Sequence, residues 1–352
     1  MHTSATGWLL ALAASIAPLA LAAIAWSAPP QPAPPIQNPK SSIQNSQPAT
    51  QSERETPLGP RWWPSRWGED DQRGAANHMT AEKVLQATRL ITSGKVYQLG
   101  RVYEEGMPLA GNRHFILTIP GSPTADPVGE NRMVSHDEMF SGEIGQVGTQ
   151  FDGLGHVGTR LPDDDYFYNG FKRSEFSKAY GLRKLGVENV GVFFTRGVLL
   201  DVARQKGVRR LEPGYAITRQ DLEACATAAR LKIMPGDAVL IHTGHGELWM
   251  VDNKTYGEGE PGIGLDAAKW LIAQDIALVG ADNWAIEVVP SENSSRPFEV
   301  HQWTLTKNGI YHLENLDLAQ LAADRVHEFA LIFAPLRLKG ATGSPGNPIA
   351  VR

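Results

Sequence analysis

An α/β fold follows from three features of this 352-residue chain. Segments with helical apolar spacing alternate with short apolar runs of buried-strand character, several of those runs end in glycine-rich turns, and no internal repeat divides the chain. The composition agrees. Hydrophobic residues make up 42% and charged residues 20%, an ordinary globular balance that excludes wholesale disorder.

Residues 1–28 carry no Lys, Arg, Asp or Glu, and Trp8 to Trp26 is almost wholly apolar. Pro18 and the small residues around Ala25-Trp26-Ser27-Ala28 favour a cleaved export signal over a membrane anchor. Residues 29–60 hold nine of the 24 prolines among Gln, Ser and Asn, and read as an extended linker. Residues 61–352 then form one domain, exported to the periplasm or beyond the cell, and membrane-tethered only if the leader is uncleaved.

Within that domain, Thr80 caps a helix from Ala81 to about Thr92, stopped by Gly94, and Lys95–Tyr103 follows as a strand. Val190–Leu200 contains two apolar strand runs. Thr218 and Asp221 form a capping box for a helix reaching about Leu231. Ala238–Ile241 is a buried strand that runs into His242-Thr243-Gly244-His245-Gly246. Leu265–Gln274 is helical, Ile276–Gly280 a strand, Leu316–Ala323 a helix and Phe329–Leu336 a strand.

Charge and cysteine usage exclude several functions. Net charge is -5 with pI about 6.1, so no basic excess is available for nucleic acid. One cysteine, Cys225, allows neither an intramolecular disulfide nor a zinc finger, and its Ala-rich helical surroundings read as a packed core thiol. No G-x-S-x-G supports a serine hydrolase.

The densest polar run is Gln146-Val147-Gly148-Thr149-Gln150-Phe151-Asp152-Gly153-Leu154-Gly155-His156. Asp152 and His156 lie four apart, so a helical turn or tight loop would put a carboxylate and an imidazole on one side. Spacing alone serves a capping Asp and a satisfied His equally well.

This run resembles the signature H-x-G-T-H-x-D-x-x-x-H of the cyclase superfamily, which includes bacterial kynurenine formamidase and isatin hydrolase. Gly148, Thr149, Asp152 and His156 match, while Gln146 and Gln150 stand where the family has histidines. His301 and Glu314 sit at the spacing of the family's later metal ligands. Trp67-Gly68, Asp71, Gly74-Ala75-Ala76-Asn77 and Tyr168-Asn169-Gly170 resemble one bacterial branch of it.

The resemblance implies a single-domain, swivelling β/β/α cyclase-like fold, usually a homodimer or homotetramer. It implies one or two divalent ions, manganese or zinc, held by Asp152, His301 and Glu314, with Gln146 and Gln150 as neighbouring polar groups able to join them. His156 becomes the general acid/base. The implied reaction is hydrolysis of the C–N bond of a small amide, aryl formamide or cyclic imide. Alternatives are lactone hydrolysis at the same site, or a small-ligand-binding protein that lost catalysis with its two histidines. Trp67, Thr149, Tyr168, Asn169, His242 and Asp282 are expected around the substrate. For Trp67 core anchoring, and for His242 and His245 a hydrogen-bonded turn, are the plainer readings. Asp163-Asp164-Asp165 lacks a calcium-loop pattern and reads as a solvated loop.

Overall fold

The computed structural model describes residues 55–121 and 126–352. The leader and most of the linker lie outside the described residues. No described helix is long and apolar enough to cross a membrane. The fold begins earlier than the linker reading allows. Glu55–Thr56 and Gly59–Pro60 form a hairpin whose Leu58 is buried with Trp62 and Tyr166.

One nine-stranded sheet organises the molecule and curls into half a barrel. Its strands, in chain order, are β1 (Val96–Gln98), β2 (Gln150–Asp152), β3 (Phe193–Asp201), β4 (Ala238–His242), β5 (Leu278–Ala281), β6 (Tyr311–Glu314), β7 (Glu328–Phe333), β8 (Gly343–Pro345) and β9 (Ile349–Val351). Their spatial order is β8-β2-β6-β5-β4-β3-β7-β9-β1. The centre, β6 through β3, is parallel and the flanks are antiparallel. Buried parallel strands need apolar residues on both faces, which is why Val198-Leu199-Leu200 and Ala238-Val239-Leu240-Ile241 read as continuous runs.

Three helices pack around this sheet: α1 (Ala81–Thr88), α2 (Arg219–Ala228) and α3 (Leu265–Ala273). Thr80 caps α1 by accepting the Lys83 N–H, and Thr218 with Asp221 makes the expected capping box of α2. α1 stops at Thr88, short of the expected Thr92, because Leu90 and Ile91 turn toward solvent instead of extending the buried face of Ala87. β1 occupies only the start of Lys95–Tyr103, since the chain bends away at Gly100, where a Cβ would meet Asn347. The last expected helix shortens to Ala319–Ala323, and β7 ends at Phe333, two residues before Pro335. Cys225 is buried on α2, and burial pushes its thiol up to about 12, as a core thiol requires.

A hairpin, Phe115–Thr118 paired with Met139–Gly142, projects from the body and exposes Ile116, Leu117, Met139 and Phe140. It had no counterpart among the sequence expectations.

Candidate metal centre

Asp152 sits on a strand, not on the helical turn that its spacing to His156 suggested. Side chains alternate along a strand, so Gln150 and Asp152 share one face of β2 and Phe151 takes the other. β6 does the same with His312 and Glu314 against Leu313. Antiparallel register sets Asp152 opposite His312 and Gln150 opposite Glu314. Four polar side chains thus gather on one face. On the other, Phe151 stacks on Tyr311 at 5.2 Å and meets Phe193 and Phe333. The aromatic core anchors the two strands that carry the site.

His301 reaches the same place from a helical turn, Glu299–His301, that continues as a π-helix, Gln302–Lys307. Glu287 directs it. One carboxylate accepts the backbone N–H groups of Val300 (3.3 Å) and His301 (3.0 Å) and also the His301 Nδ1–H (2.5 Å). Buried Glu260 fixes the preceding segment by accepting the N–H groups of Trp284 and Ala285.

The four groups converge on one point. His301 Nε2 lies 3.4 Å from Glu314 Oε1 and 3.8 Å from Asp152 Oδ2. His312 Nδ1 lies 3.8 Å from Glu314 Oε1 and 4.0 Å from Asp152 Oδ2. Metal–ligand bonds of about 2.1 Å in a tetrahedral arrangement space donors about 3.4 Å apart. All four atoms lie within 4.8 Å of one another, so the set suits a single divalent ion.

Hydrogen bonding sorts inner atoms from outer ones. Asp152 Oδ2, Glu314 Oε1 and His312 Nδ1 are buried without a partner. Each corresponding outer atom is held. Gln146 donates to Asp152 Oδ1 (2.7 Å), Gln150 to Glu314 Oε2, and Glu287 takes the His301 Nδ1–H. Thr304 donates its hydroxyl to the Val300 carbonyl (2.8 Å), so it accepts from His312 Nε2–H (2.6 Å). Both imidazoles therefore turn an unprotonated nitrogen inward when neutral. Orphaned buried acceptors are costly, and two buried carboxylates facing two ring lone pairs fit a cation.

The charges respond in opposite directions. Burial alone would lower the His301 pKa, but the Glu287 and Glu314 hydrogen bonds hold it well above the usual imidazole value. Burial, aided by the nearby His301 charge, pushes His312 down to about 3.

Asp152, His301 and Glu314 are thus brought together as expected, and His312 joins them. Gln146 and Gln150 spend their amide N–H groups on the outer carboxylate oxygens. His156 Nε2 stands 3.7 Å from Asp152 Oδ2 with its side chain 24% exposed, after a turn in which its N–H meets the Gly153 carbonyl. Gly155 in that turn admits no side chain, because a Cβ would lie 2.3 Å from Leu182.

A cavity of about 140 Å³ adjoins the cluster, walled by Leu109, Arg113, Gln146, Gln150, Tyr256 and Trp284. None of the expected pocket residues Trp67, Thr149, Tyr168, Asn169, His242 or Asp282 lines it. Trp67 and Tyr168 border a separate cavity beside Asp275 and Lys307. Asn169 clamps the 65–71 loop, accepting the Ser65 N–H and donating to the carbonyls of Gly68, Glu69 and Asp71. Thr149 is buried, accepts the Arg101 N–H and donates to the Asn315 carbonyl. His242 and Asp282 belong to a separate network with Asp201. His245 is stacked on Tyr256, its Nε2 3.2 Å from that residue's carbonyl, so the H-x-x-H is a structural turn. Asp163 and Asp165 pair with Lys172, Arg160 and Arg173 in an exposed loop.

Sequence reasoning missed His312, Glu287, Thr304 and Arg113. Only His312 left a local signal, two residues before Glu314 on a strand-like Tyr-His-Leu-Glu.

The Cyclase family model, described as "Putative cyclase", matches residues 97–288. A crystal structure described as a novel cyclase is 37% identical with a TM-score of 0.72, over 82% of this chain and 98% of its own. Isatin hydrolase A from Labrenzia aggregata, bound to benzyl benzoate, shares the fold at 18% identity and a TM-score of 0.55, over 76% of this chain and 98% of its own. Isatin hydrolase A from Ralstonia solanacearum does so at 19% identity and 0.54, over 78% of this chain and 98% of its own. Among curated proteins, none matches the chain. The chain belongs to the cyclase family.

Proposed function

We propose that this cyclase-family protein is a metal-dependent hydrolase that cleaves the C–N bond of a small, ring-sized amide, aryl formamide or cyclic imide. One observation carries the reading: three of the four converging atoms are buried without partners, while all four outer atoms are hydrogen-bonded.

Asp152 Oδ2, His301 Nε2, His312 Nδ1 and Glu314 Oε1 would hold one manganese or zinc ion. When bound, such an ion acidifies water and polarises an acyl carbonyl. The protein's part is to hold donors and move a proton. Gln146, Gln150, Glu287 and Thr304 fix the four donors in orientation, so little rearrangement accompanies binding. His156 Nε2, beside Asp152 and partly exposed, takes a proton from the attacking water and returns it to the leaving nitrogen. Leu109, Tyr256 and Trp284 seat a flat substrate and keep bulk water from it. The isatin hydrolases named above support this class of chemistry through their shared fold. Export, read from residues 1–28, and homodimer or homotetramer assembly complete the proposal.

The test is metal content and turnover on one sample. Full-length protein is purified without chelator, its metals are measured by mass spectrometry, and formanilides, isatin, cyclic imides, lactams and lactones are assayed with manganese or zinc. The expected result is one equivalent of metal, and amide hydrolysis lost on chelation and restored by the ion. A folded protein that takes no metal and stays inert overturns the reading.

A further inference from the structure

The cavity beside the metal centre has one charged residue in its wall, Arg113, at the foot of the projecting hairpin. Arg113 is half-buried and forms no ion pair. Its one hydrogen bond is a long one, from Nη2 to the neutral Gln146 Oε1 at 3.4 Å. Glu143, which feels the Arg113 charge, is engaged by the His114 N–H at 2.7 Å.

The other polar groups of the wall are already used. Tyr256 donates to Asn315 Oδ1 (2.6 Å), Asn315 donates to the Gly148 carbonyl (2.7 Å), and Asn253 donates to the Gly106 carbonyl (2.6 Å). Most of a guanidinium's five donors thus remain open in a half-buried site, a setting that suits a planar anion taken in two parallel hydrogen bonds. The remaining wall is apolar or aromatic. A volume of about 140 Å³ is close to that of cavities, roughly 150 Å³, that hold one benzene molecule. Gln146 bridges Arg113 and Asp152, so the cation stands one amide's width outside the metal ligands.

We infer that Arg113 binds a carboxylate on the substrate, and that the enzyme takes single-ring acyl compounds bearing that anion next to the scissile bond. The inference rests on the hydrolase reading for the bond broken, but not for the anion recognised.

Isothermal titration with benzoate and benzamide as one-ring probes, on metal-free and manganese-loaded full-length protein, separates the two. Metal-free wild type should bind benzoate at least tenfold tighter than benzamide. Arg113→Ala should abolish that preference, and Arg113→Lys should keep part of it. In turnover, 3-formamidobenzoate should exceed formanilide in kcat/KM, and Arg113→Ala should remove the excess through KM. Equal binding of both probes, or a preference seen only with metal and indifferent to Arg113, overturns the inference. Benzoate inhibition without preference between the two formanilides assigns Arg113 to the product acid and overturns it as well. A protein without metal or turnover that still shows the Arg113-dependent benzoate preference fails the hydrolase reading alone.

Discussion

Two buried carboxylate–histidine groups lie at strand ends of the same sheet, and they differ in what their inner atoms do. Around β4, Asp282 accepts the Thr243 N–H and hydroxyl and the Gly244 N–H at 2.7–2.9 Å. Asp201 accepts from His242 Nδ1 and from the Arg204 backbone and side chain. Every oxygen there has a donor. Across β2 and β6, Asp152 and Glu314 each keep one buried oxygen with none. Saturated carboxylates hold a loop. Orphaned ones hold room for a cation. Residue types alone do not separate the two groups, since both are Asp and His near glycine.

The sharpest way to break this contrast is to remove an inner ligand. Asp152→Ala or His301→Ala should reduce turnover by about a thousandfold or more and leave no stoichiometric metal, read by assay and mass spectrometry. Asp282→Ala should leave metal content near one equivalent. His312→Gln is the next test, because sequence reasoning did not include it. Metal affinity should fall at least a hundredfold by competition titration with a chromophoric chelator. A fully loaded, active variant would remove His312 from the ligand set. Glu287→Gln, which alters only what lies behind His301, should weaken metal by about ten- to a hundredfold.

Stability separates the groups in the other direction. Asp282→Ala strands three donors, and denaturant melts should show a loss of about 3 kcal/mol, the upper part of the range for unpaired buried groups. The smallest effect is a pH slope. Burial alone would lower the His242 pKa, but the Asp201 hydrogen bond and the Asp282 charge raise it above the usual imidazole value. Its contribution is therefore complete below the unfolded imidazole pKa and is lost as pH rises through the higher folded value. His242→Gln should flatten the decline of stability with pH in that window.

Much of this was legible in the chain. Continuous apolar runs marked the central parallel strands, and Thr218 with Asp221 marked a helix start that formed as read. Asp152, His301 and Glu314 were found through the family signature. The rest depends on contacts that no local pattern encodes. Glu287 acts on His301 from another segment, and Thr304 meets His312 only because a π-helix brings its hydroxyl there. The four-residue spacing of Asp152 and His156 suggested a helix, whereas β2 pairs with β6 and β8 and makes the segment a strand. Trp67, Tyr168 and Asn169 resembled site residues because they stand in a shared motif. Their work is to tie the first described loop to the body, which a sequence cannot tell from lining a pocket.

The pairing of β2 with β6 has a consequence for how the gene can change. Asp152 faces His312 and Gln150 faces Glu314 because two strands agree on where each begins. A point substitution alters one of those partners and leaves the frame. Deleting or inserting one codon between Gln150 and Asp152 exchanges the two faces, sending Phe151 toward the ion and a carboxylate into the aromatic core. This stretch can drift in letters and cannot drift in length.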